Sequence, residues 1–159
     1  MTRTGSDTSE GHRARRMAVI VASLLAAALV LAACGAIRRD PTPAGSGATQ
    51  RSEGGQVTVD VTWGGKETGP VFRVVMDTHA VDLDGYDLRQ LAVLRVADGQ
   101  EVRPSGWDAP KGGHHREGAL TFPATFADGS PTLGPSTGTV ELVIRDVAGV
   151  PARTYRWIP

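Results

Sequence analysis

Two short blocks hold the residues of this chain best suited to chemistry. The first is Met76-Asp77-Thr78-His79-Ala80-Val81-Asp82-Leu83-Asp84, and the second is Lys111-Gly112-Gly113-His114-His115-Arg116-Glu117-Gly118. Together they carry three of the four histidines, His79, His114 and His115. Imidazole and carboxylate suit zinc or copper, so His79, His114 and His115 with Asp77 and Asp82 form a candidate ligand set; Met76 could add a thioether for copper. The spacing is not diagnostic, because nothing in sequence brings two blocks so far apart together. Adjacent His114 and His115 would also face opposite ways if extended, so both could bind one ion only from an irregular loop. The competing reading is structural. Imidazoles in polar loops more often satisfy hydrogen bonds, and Asp82, Asp84 and Asp87 are placed to close turns through their side-chain oxygens.

Catalysis has little support. The chain contains no Ser-x-x-Lys and no phosphate-cradling loop followed by Lys-Ser or Lys-Thr. The acidic run lacks the Asp-x-Asp-x-Asp-Gly spacing of a calcium loop. Trp63, Trp107 and Trp157 could in principle stack on a sugar. Trp63 and Trp157 sit in strand patterns that favour core packing, which leaves Trp107, in a Pro-Ser-Gly-Trp-Asp-Ala-Pro stretch, as the one expected to be exposed. The expected reading is a binding or interaction module rather than an enzyme, with copper or zinc binding as the alternative.

The strongest single signal lies nearer the amino terminus. His12, Arg13, Arg15 and Arg16 precede an apolar run over residues 17–33 in which Ser23 is the only polar residue, and the run ends Leu31-Ala32-Ala33-Cys34. This arrangement resembles a bacterial lipoprotein precursor, with a basic segment, an apolar segment and a lipobox. The resemblance implies cleavage before Cys34, diacylglycerol on its sulfur, and a domain held outside the cytoplasm at a bacterial membrane. Cys34 is the only cysteine, so its lipidation would leave no thiol for a disulfide, a Cys-ligated metal or a nucleophile. The mature part would carry thirteen Lys plus Arg against fifteen Asp plus Glu, and that weak acidity argues against a nucleic-acid partner. The partners implied are the membrane itself, through Cys34, and a protein outside the cytoplasm.

The elements that must position the His blocks are strands. Residues 34–55 are rich in Gly, Pro, Ser and Thr with Ile37 the one large apolar residue, so a flexible tether is expected there. From residue 56 the pattern turns to period two. Val57, Val59, Val61 and Trp63 alternate with Thr58, Asp60 and Thr62; Phe72, Val74 and Met76 follow; Val140, Leu142 and Ile144 alternate with Glu141 and Arg145. Further strands are expected at Leu91 onward, at Glu101-Val102-Arg103 after an Asp98-Gly99 turn, at residues 118–122 and at residues 153–158. Tyr86 to Leu94 is the one helical candidate. The expected organisation is therefore a lipoprotein signal peptide over residues 1–33, a tether over 34–55, and an all-β domain over 56–159: an antiparallel two-sheet, immunoglobulin-like sandwich of about seven strands. The two His blocks also resemble segments of exported bacterial domains of immunoglobulin-like sandwich type. That likeness covers roughly residues 57–159 and implies a fold without an activity.

Overall fold

The computed structural model describes residues 41–96 and 99–159. The segment expected to be a signal peptide, Cys34 and Asp98 lie outside the described residues. The described chain is all-β, with ten strands: β1 (Ala44–Gly45), β2 (Thr49–Gly54), β3 (Val57–Trp63), β4 (Val71–Thr78), β5 (Ala92–Arg95), β6 (Glu101–Val102), β7 (Gly106–Asp108), β8 (His115–Thr121), β9 (Val140–Val147) and β10 (Val150–Ile158). They form two five-stranded sheets, ordered β1-β10-β9-β5-β6 and β2-β3-β4-β8-β7. All pairings are antiparallel except the short β1–β10 contact, which is parallel.

Period-two patterning does what it should in the long strands. Val57, Val59, Val61 and Trp63 of β3 are buried, as are Phe72, Val74 and Met76 of β4 and Val140, Leu142 and Ile144 of β9. These side chains join residues of both sheets in one core. At its centre an aromatic cluster takes the place of a disulfide: Trp157 lies 6.3 Å from Trp63 and 5.5 Å from Phe72, centroid to centroid. The polar tips of these rings are satisfied. Trp63 Nε1 donates to the Gly69 carbonyl, Trp157 Nε1 to that of Ala48, and the Tyr155 hydroxyl to that of Val59, so the rings bury their area without leaving a donor unpaired.

Ten strands rather than about seven are present, and three were not expected. Two of them, β1 and β2, fall inside the stretch expected to be tether. Strand β2 reads Thr-Gln-Arg-Ser-Glu-Gly and alternates only between exposed and half-buried. It occupies a sheet edge and pairs with β3 over six residues, so backbone hydrogen bonds rather than apolar burial define it. Gly55 and Gln56 form its two-residue turn, with φ of 58° and 62°, the positive pair that a type I′ hairpin needs. A Cβ on Gly55 would lie 1.9 Å from the Ala148 carbonyl oxygen, so glycine is required there by space as well as by φ. The third addition, β7, spans three residues around Trp107 and pairs with β8.

The helical candidate shrinks to one turn, Leu88–Leu91. Asp87 caps it by accepting from the Arg89 amide, and Leu88 points into the core. The strand after it, β5, pairs with β9 through Leu94 and Leu142.

Candidate functional site

The two His blocks meet. Strands β4 and β8 are neighbours, with Asp77 directly opposite His115. The loop that leaves β4 (residues 79–87) therefore emerges beside the loop that enters β8 (residues 109–114). Backbone bonds knit them: the Thr78 amide donates to the His114 carbonyl at 3.0 Å, and the Leu83 amide to that of Gly113 at 2.7 Å. One carboxylate latches them further, because Asp84 Oδ1 accepts from the amides of both Gly112 (2.9 Å) and Gly113 (3.1 Å). Those amides, the Gly112 one foremost, hold the Asp84 carboxyl below the usual carboxylate range. Because the folded-state value is depressed, the latch stabilises above the ordinary carboxylate pKa and is lost as the pH falls through the lowered value.

Arg116 is the organising residue. Its side chain is buried, with 6% exposure, and it is spent on main-chain carbonyls from both loops. Nη1 donates to Leu83 and Tyr86 at 3.0 and 2.9 Å, Nη2 to Ala109 at 3.0 Å, and Nε to Pro110 at 3.3 Å. The guanidinium also lies over the Trp107 ring, 5.6 Å from its centroid, a cation–π contact. Trp107, expected to be exposed, is therefore half-buried. The three tryptophans form no sugar platform, since Trp63 and Trp157 are in the core.

Of the five candidate metal ligands, the structure joins two. His115 Nδ1 and Asp77 Oδ1 are 2.5 Å apart, both side chains being half or more exposed. The pleat explains this pair. Met76 and Thr78 are buried while Asp77 between them is exposed, so Asp77 and His115 stand on the outer face of their sheet. His79, Asp82 and His114 belong to the loops instead. His79 and His114 are exposed, and Asp82 Oδ1 accepts from the Asp84 amide. Among the described residues, no three His, Cys, Asp or Glu side chains converge closely enough to hold a metal ion. The candidate set is thus divided between a sheet face and a loop pair, and it does not form one coordination shell.

The aspartates act as turn closers: Asp82 on Asp84, Asp84 on Gly112 and Gly113, and Asp87 on Arg89. Thr78 completes the frame. Its hydroxyl donates to the Gln56 carbonyl and accepts from the Ala80 and Val81 amides. Tyr86 ties in the β9–β10 turn, its hydroxyl accepting from the Ala148 amide at 3.1 Å. What this end of the molecule offers chemically is a held polar surface, with His79, Asp82, Lys111 and His114 exposed over a rigid frame.

Comparison of the chain with known protein families, with curated proteins and with solved structures finds no match.

Proposed function

We propose that the chain is a lipid-anchored interaction module, non-enzymatic, whose immunoglobulin-like domain works outside the cytoplasm and contacts a protein partner through the joined His loops. Strand order supports the fold assignment. With β1 and β2 set aside, the remaining strands run β3-β4-β8-β7 and β10-β9-β5-β6. Numbered from β3, these are the A-B-E-D and G-F-C-C′ orders of the immunoglobulin sandwich. In that numbering the loop after β4 is B–C, the loop before β8 is D–E, and the β9–β10 turn is F–G. B–C and F–G belong to the end where variable domains place recognition loops.

The observation that carries the interaction reading is the latch. Arg116 and Asp84 hold two polar loops in one arrangement, so a partner would meet a surface that needs no ordering on binding, which lowers the entropic cost of association. The membrane half of the proposal rests on the segment that ends at Cys34. One acyl chain anchors marginally and two or more hold firmly.

The test of the contact surface is a photo-crosslinking residue placed in intact cells at His79 or His114, with Glu67 as the control. Glu67 follows β3 at the far end of the β3–β4 hairpin and is exposed. Discrete adducts are expected from the two loop positions and not from Glu67, and Asp84→Ala should weaken them by loosening the loops. Adducts equal at all three positions, absent from the loops, or indifferent to Asp84→Ala would overturn the reading.

A further inference from the structure

We infer that the edge strand β2, the strap, is a reversible cover that opens as a local unit while the rest of the domain stays folded. The inference is independent of the lipid and partner readings, and it begins at Arg153. Along β10 the buried residues are Arg153, Tyr155 and Trp157, so the Arg153 side chain is aimed inward with two core aromatics. It is 2% exposed. Nη2 donates to the Gly54 carbonyl of β2 at 2.7 Å, but Nε and Nη1 are buried without a partner among the described residues. A guanidinium deprived of water and given one carbonyl in return opposes closure of whatever covers it. What covers it is the strap.

The bonds that hold the strap to the opposite sheet are polar and few. Gln50 clamps β2 to β10 by donating to the Arg156 carbonyl at 2.7 Å and accepting from its amide at 3.2 Å. β1 lies in the other sheet and stays with it: Ala44 pairs with Trp157 and packs on the core, Gly45 pairs with Ile158, and the Ala48 carbonyl accepts from Trp157 Nε1. The Arg51–Asp60 ion pair is on the surface, with Arg51 62% exposed, where such pairs contribute little. None of the six β2 residues belongs to the core. The turn at the strap's inner end also carries strain, since Gln56 occupies a left-handed conformation that favours glycine. An edge strand with exposed backbone bonds, no residue in the core and a buried charge without a carboxylate partner beneath it has the properties of a low-stability unit. Opening hydrates Arg153 and frees the outer edge of β3, while the aromatic core remains closed by the other strands.

Hydrogen exchange on the full chain tests this. Backbone amides of β2 are expected to exchange at least about tenfold faster than β9 amides once intrinsic rates are divided out, with weaker denaturant dependence. Arg153→Met removes the unpaired donors and should slow β2 exchange by about tenfold while leaving β9 unchanged. If Arg153→Met does not fold, Gln50→Ala decides the matter, and it should speed β2 exchange by about tenfold with β9 again unchanged. Exchange of β2 and β9 at one common rate and denaturant slope would overturn the inference. So would β2 exchange that is unaltered or faster in a folded Arg153→Met, or Gln50→Ala moving both strands together.

Discussion

Replacing Arg116 with methionine should destabilise the domain by about 3–5 kcal/mol, at the upper end of single-substitution effects. The side chain fills its site in either form, so lost volume is not the cause. The cost arises because carbonyls of Leu83, Tyr86, Ala109 and Pro110 lose their donor together, and bonds to a charged donor are individually stronger than neutral ones. The cation–π contact with Trp107 is lost as well. Arg116→Lys should recover only part of the loss, because an ammonium is a point donor and cannot span a fan of carbonyls from two loops. Denaturant melts check both variants. An Arg116→Met midpoint within experimental error of wild type would show that the loops are held by the Asp84 and backbone bonds alone.

Leu142→Asp should be more severe, with a loss of roughly 4–5 kcal/mol or more. Leu142 is fully buried and sits between Leu94 of β5 and Tyr155 of β10 in the strand register. A carboxylate there replaces an apolar side chain packed between apolar and aromatic neighbours, and burying its charge costs several kcal/mol. Against a typical domain stability of about 5–15 kcal/mol, such a loss leaves the protein unfolded or nearly so. Circular dichroism and a thermal melt read this directly, and a cooperative melt at the wild-type temperature would contradict the facing of β9.

The strands that were legible in the sequence are those that bury one face. β3, β4 and β9 alternate because their inner residues enter the core. β2 was not legible because its pairing depends on edge position, and its six residues contain no large apolar side chain. Gly54-Gly55, which reads as the end of a tether, is instead part of a tight hairpin whose partner strand begins at Val57. β7 was hidden for a related reason: three residues in a Pro- and Gly-rich stretch carry no periodicity.

The site was legible in its residues but not in its geometry. That the Asp77 and His115 blocks adjoin follows from β4–β8 pairing, which no local pattern encodes. The roles of Asp82, Asp84 and Asp87 as turn closers follow from side-chain chemistry. Arg116 was recoverable in principle. It is buried two pleats from Leu120, and an arginine on the inner face of a strand needs carbonyl or carboxylate partners. Arg153, beside Tyr155 and Trp157 on the inner face of β10, carries the same signal.

The measurement that bears most directly on the central proposal, a domain held at a membrane by lipid on Cys34, is the intact mass and membrane partition of the full chain expressed in a bacterium. The wild type is expected in the membrane fraction, cleaved before Cys34 and heavier than the bare polypeptide by at least a diacylglyceryl group. Cys34→Ser should either appear in the soluble fraction or retain residues 1–33 uncleaved. A wild-type chain of unmodified mass, or one that partitions as Cys34→Ser does at the same mature size, would contradict the proposal.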